Sequence, residues 1–98
     1  MRLSEQEIEQ IKQAAQQVFG PAVRVALFGS RLDDRGRGGD IDLFVEVPTQ
    51  RSSAGDELAF RVALERTLGQ RKVDVVLHGF SEPLTPFEAL AQAQAVPL

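Results

Sequence analysis

The sequence predicts an α/β (α+β) protein: a small mixed β-sheet of three or more strands with helices packed on it. Three observations carry that expectation. Apolar, β-branched runs at 23–28 and 41–47 flank a glycine-rich charged loop. A third such run at 73–77 follows the second across a helix-length stretch. Capped amphipathic segments precede and close the set.

Ser4-Glu5-Gln6-Glu7 reads as a capping box, in which the Ser4 hydroxyl accepts from the backbone N–H of Glu7 while the Glu7 side chain reaches back. Ile8, Ile11, Ala15, Val18 and Phe19 then recur at helical spacing, so one stripe packs inward until Gly20-Pro21 stops the helix. Val23–Phe28 suits a first strand that ends at Gly29-Ser30. The loop beyond carries Arg31, Asp33, Asp34, Arg35 and Arg37 among glycines, and Ile41–Val47 is the second strand. A second helix runs from Asp56 to about Leu68, with Phe60, Leu64 and Leu68 on one side and Leu58, Val62 and Glu65 on another, and Gly69 ends it. Val73–Leu77 is a third strand; the intervening helix makes it a parallel neighbour of the second through a right-handed crossover. Thr85-Pro86-Phe87-Glu88 repeats the capping-box logic and opens a short last helix over Phe87–Ala95. Apolar surface on this last helix (Leu90, Val96 and Leu98) suits an interface, including a homo-oligomeric one.

The 98 residues read as one domain, 1–98. With 43% hydrophobic and 26% charged residues the chain is globular rather than disordered. The absence of Cys removes disulfides and thiolate metal sites and favours a cytoplasmic setting. No long apolar span suggests a membrane, and a net charge of −3 argues against nucleic acid as the main partner.

The chemistry concentrates in Leu27–Val47, LFGSRLDDRGRGGDIDLFVEV. Small residues at Gly29-Ser30 let backbone N–H groups approach an anion, and Asp40 and Asp42, two residues apart in an extended segment, share a face. A further carboxylate, Asp74, sits in Lys72-Val73-Asp74-Val75-Val76. A calcium loop starting at Asp33 fails, because its twelfth position is Phe44 and Arg35 and Arg37 fall where ligands belong. No Gly-Lys-Ser/Thr follows a glycine loop, so a P-loop is excluded. His78, alone after the third run, reads as structural, and Glu46, on the parity of the aspartates but deeper in its strand, has no assigned role.

The ordered set Gly29-Ser30, Asp40-Ile41-Asp42 and Asp74 resembles the signature of the minimal nucleotidyltransferases of the polymerase-β-like superfamily, over roughly 23–77. The spacer 31–39 is short and rich in Arg, and Gly39 stands where many members carry Ser; neither departure removes a ligand. The resemblance implies that the first two strands pair antiparallel, so that Asp42 and Asp74, early in neighbouring strands about 4.8 Å apart, reach one divalent ion. Three converging carboxylates repel one another unless a cation neutralises them, and an all-oxygen set favours Mg²⁺ or Mn²⁺, two ions in this family. Implied roles are then metal binding and catalysis for Asp40, Asp42 and Asp74, with Asp74 the general base, and nucleotide binding for Gly29, Ser30 and Arg31. The implied reaction moves a nucleoside monophosphate from an NTP, foremost ATP, to a hydroxyl. Small members of this family pair with a helical HEPN protein as the antitoxin that adenylylates its tyrosine. Two alternatives stand beside that role: a non-catalytic module that neutralises a partner by contact, and a small-molecule nucleotidyltransferase acting as a dimer.

Overall fold

The computed structural model describes residues 3–28, 41–48, 53–69 and 73–98. Gly29, Ser30, Arg31 and Asp40 lie outside the described residues. The elements run α1 (Glu5–Phe19), β1 (Arg24–Leu27), β2 (Ile41–Val47), α2 (Ala54–Leu68), β3 (Val73–Gly79), α3 (Pro86–Gln94) and β4 (Val96–Pro97). The sheet order is β3-β2-β1-β4, with β2 and β3 parallel and the β1–β2 and β1–β4 pairs antiparallel. The expected mixed sheet is therefore present, and the parallel pair is joined through α2.

Local chemistry sets the helix ends. The Ser4 hydroxyl accepts from the Glu7 N–H at 3.1 Å and Glu7 Oε1 accepts from the Ser4 N–H at 2.9 Å, closing the box at the head of α1. Gly20, at φ +93°, and Gly69, at φ +74°, stop α1 and α2 in backbone conformations that side chains with a Cβ rarely adopt. The α2 helix begins at Ala54, ahead of the expected Asp56, because the Ser53 hydroxyl caps it by accepting from the Asp56 N–H at 3.1 Å.

The middle of β2 is buried on both faces, and the helices sort to the two sides of the sheet. Leu27, Ile41, Leu43, Val45, Val47 and Val75 join Ile11, Ala15 and Phe19 of α1 and Phe60, Leu64 and Leu68 of α2 in the main core. Phe19 meets Phe60 edge-on at 5.4 Å between ring centroids, tying the two helices together over the sheet. Of the two apolar sides expected for α2, the sheet takes the Phe60 side, while Leu58 and Val62 stay exposed. On the opposite face Phe28, Phe44 and Ala91 of α3 form a smaller cluster with Val76 and Ala95. The result is three layers: α1 and α2, the sheet, and α3.

Two local expectations need correction. Val96 and Leu98 do not belong to the last helix; α3 ends at Gln94, and Val96–Pro97 turns back as a strand against Ala26 and Leu27. The third strand extends past Leu77 to Gly79, so His78 lies within it. His78 is buried, stacks on Phe44 at 6.1 Å, and its Nε2 donates to the Glu82 carbonyl at 2.8 Å. Among the described residues, no helix is long and apolar enough to cross a membrane.

Candidate functional site

The side chains on the α3 face of the sheet form three rows that run across the strands. Register places Asp42 opposite Asp74, Phe44 opposite Val76 and Glu46 opposite His78. On the other side of β2, Ala26 faces Phe44 and Arg24 faces Glu46. The ladder continues one residue beyond β1, where the Phe28 N–H donates to the Asp42 carbonyl at 3.0 Å. The first row is thus Phe28–Asp42–Asp74, the second Ala26–Phe44–Val76, and the third Arg24–Glu46–His78.

Asp42 is the second residue of β2 and Asp74 the second of β3. Parallel pairing in this register brings both carboxylates to one face and one end of the sheet. Asp42 is half-buried between Ile41 and Leu43, whose side chains turn to the opposite, fully packed face. Asp74 is exposed. Two hard-oxygen donors that share a row, one of them open to solvent, match the ligand preference of a hard divalent cation. The pair supplies two oxygen donors of the kind such a cation takes, and among the described residues no group of three or more His, Cys, Asp or Glu side chains is assembled around them.

Arg61 of α2 fixes the strand that carries Asp74. Its Nη1 donates to the Val73 carbonyl at 3.1 Å and its Nη2 to the Val75 carbonyl at 3.5 Å, bracketing Asp74 along the backbone. Its Nε donates to Glu57 Oε2 at 3.2 Å, which holds the guanidinium in place from one turn away. Sequence reasoning did not single out Arg61, because its targets lie twelve and fourteen residues along the chain.

The α3 helix crosses the rows, from the first to the third. Phe87, in its first turn, meets Phe28 of the first row edge-on at 6.2 Å. Ala91 packs into the Phe28–Phe44 cluster, and the Gln92 amide donates to Glu46 Oε2 of the third row at 3.2 Å. The His78 Nδ1 lies 3.7 Å from the same oxygen. Glu46 thus acquires a structural place, linking α3 to the far end of the sheet rather than joining the two aspartates. A cleft of about 410 Å³ opens at that far end, among Lys12, Arg24, Phe44, Glu46 and Leu98. Neither Asp42 nor Asp74 lines it, so the cleft and the carboxylate row are separate features.

Of the residues expected from the sequence, the structure brings Asp42 and Asp74 together; Gly29, Ser30, Arg31 and Asp40 lie outside the described residues. No curated protein matches the chain. The nucleotidyltransferase domain family model matches residues 8–96, from the first helix to the last strand. Members of that family transfer a nucleoside monophosphate from an NTP and generally use divalent metals. A mixed sheet that carries a paired Asp42 and Asp74, matched over nearly its whole length, places this chain in the nucleotidyltransferase domain family.

Proposed function

We propose that this chain moves AMP from ATP onto a hydroxyl of a protein partner, a tyrosine of a HEPN-type helical protein, and so acts as a cytoplasmic antitoxin. The observation that carries the reading is the register of Asp42 with Asp74 on one face at the start of parallel strands. The protein acceptor rests on the resemblance of the Gly29-Ser30, Asp40-Ile41-Asp42 and Asp74 set to the minimal members of the superfamily.

In this reading Asp40 and Asp42 would hold one Mg²⁺, and Asp74 would be a ligand of a second. Bound there, the metal offsets phosphate charge and lowers the pKa of the acceptor hydroxyl. Ser30, through its hydroxyl and N–H, and Gly29, through its backbone, hold the β- and γ-phosphates, and Arg31 adds a bidentate contact. Asp74 takes the proton of the acceptor hydroxyl as its oxygen bonds to the α-phosphorus. The bond from that phosphorus to the bridging oxygen breaks, and pyrophosphate leaves. Most of the rate enhancement comes from alignment and charge neutralisation rather than covalent chemistry by the protein.

The test is incubation with α-phosphate-labelled ATP, Mg²⁺ and the HEPN-type partner, using the chain and its Asp42→Ala variant. Label on a partner tyrosine that disappears with Asp42→Ala is the expected result. Neutralisation of the partner by Asp42→Ala, without label, would instead establish the contact-only module.

A further inference from the structure

Phe87 has no role in the proposed reaction, yet it stands beside the carboxylate row. Its ring is 58% exposed. It packs at a steep angle, 75° between ring planes, against Phe28, which occupies the same row as Asp42 and Asp74 and immediately precedes Gly29-Ser30 in the chain. The backbone beneath it is held equally firmly. The Thr85 hydroxyl accepts from the Glu88 N–H at 3.1 Å, Glu88 Oε1 accepts from the Thr85 N–H at 2.9 Å, and Pro86 occupies the first helical turn. An aromatic on a capped, proline-started turn keeps its position without a ligand, so little ordering remains to oppose binding.

Phe28 stands one strand spacing, about 4.8 Å, from Asp42, and the Phe87 ring centroid lies 6.2 Å from that of Phe28. Phe87 thus stands next to the residue that shares a row with Asp42, beside the carboxylates rather than on them, as a base site beside a phosphate site requires. The local chemistry also suits a neutral planar group. Glu88 is the sole ionisable side chain of α3, and Leu90, one turn beyond Phe87, is 57% exposed.

We infer that Phe87, packed against Phe28, is the stacking platform for the nucleobase of the NTP. The inference rests on the reading of Asp42 and Asp74 as the phosphate-and-metal end of a nucleotide site. It adds a residue that sets base affinity without touching the reacting atoms. Stacking is tolerant of base identity, so Phe87 favours large purine rings over pyrimidines rather than reading hydrogen-bond patterns.

The experiment measures binding of Mg·ATP and of Mg·tripolyphosphate, which has no base, by calorimetry. It compares the natural chain with Phe87→Leu, Phe87→Trp and Asp42→Asn. Leucine keeps an apolar contact to Phe28 and preserves the fold while removing the π face. The expected result is that Phe87→Leu binds Mg·ATP roughly 5- to 150-fold more weakly, leaves Mg·tripolyphosphate unchanged, and is rescued by Phe87→Trp. Undiminished Mg·ATP binding by Phe87→Leu overturns the inference; if Asp42→Asn still loses both ligands, the nucleotide site itself stands. Equal loss of both ligands in Phe87→Leu also overturns it, because the ring then serves the fold rather than the base. Binding of neither ligand by the natural chain overturns this inference and the nucleotide site together.

Discussion

Replacing Arg61 by Met tests whether α2 determines where Asp74 stands. Methionine keeps the length and apolar stem of the arginine but removes every donor, so the helix packing is left in place. Two hydrogen bonds to backbone carbonyls disappear, one at 3.1 Å and one, longer and weaker, at 3.5 Å. A charged donor contributes about 1.5–3 kcal/mol when buried. The Arg61 side chain is 39% exposed, and its Glu57 partner 36%, so solvent screening reduces both bonds and leaves little for the ion pair. The loss is therefore about 1–2 kcal/mol in total, against a stability of about 5–15 kcal/mol for a domain of this kind. Thermal unfolding should shift down by about 5–10 °C. Native-state amide exchange should accelerate at Asp74 and Val76, which by strand alternation point toward β2, and less in α1. Transfer activity should fall with the loosened strand, and Arg61→Lys should recover only part of it, since an ammonium cannot span two carbonyls as a guanidinium does. Unchanged melting and unchanged exchange at Asp74 in Arg61→Met would refute the idea that this side chain positions the strand.

Further outcomes follow from other contacts. Asp74→Asn removes one of the two carboxylates in register, so transfer should be lost; urea titrations with and without Mg²⁺ should show the ion stabilising the natural chain more than the variant. Phe60→Ala deletes a ring that is fully buried against Phe19, and should cost about 3–5 kcal/mol in urea unfolding; a smaller loss would mean that α1 and α2 can close over the cavity. Thr85→Ala opens the capping box of α3, and should cost about 1 kcal/mol, with the Phe28–Phe87 contact weakening in aromatic NMR spectra.

What could be read from the chain beforehand was what is local. Both capping boxes lie within four residues, and each forms with the partners that Ser4-x-x-Glu7 and Thr85-x-x-Glu88 specify. The three longer strands announced themselves as β-branched runs, and a helix between two of them implied their parallel pairing. The juxtaposition of Asp42 with Asp74 followed from both standing early in those strands. The remaining features depend on contacts between distant segments. Two residues, Val96 and Pro97, carry no strand pattern of their own and are extended because Ala26 and Leu27 offer an edge. Nothing periodic in 86–94 tells which sheet face the helix covers; Ala91 and Gln92 settle that through Phe44 and Glu46. The reach of Arg61 to Val73 and Val75 is equally silent in the sequence. The nucleotide-binding role expected for Gly29, Ser30 and Arg31, and the metal-binding role expected for Asp40, rest on residue type, spacing and the family resemblance alone.

The two borders of the sheet share a property with consequences for how the protein behaves at high concentration. An unpaired strand edge is a template on which another chain can grow. On the β3 border, the outward carbonyls of Val73 and Val75 are already taken by Arg61. On the β4 border the inward bond runs from the Leu98 N–H to the Val25 carbonyl at 3.0 Å, so alternation turns the Pro97 nitrogen outward, where it has no hydrogen to donate. One border is occupied by a side chain and the other is short and lacks a donor. A chain with strands as apolar as β2 is thereby protected against edge-to-edge aggregation, and the guanidinium that holds the strand carrying Asp74 also keeps that strand from recruiting neighbours.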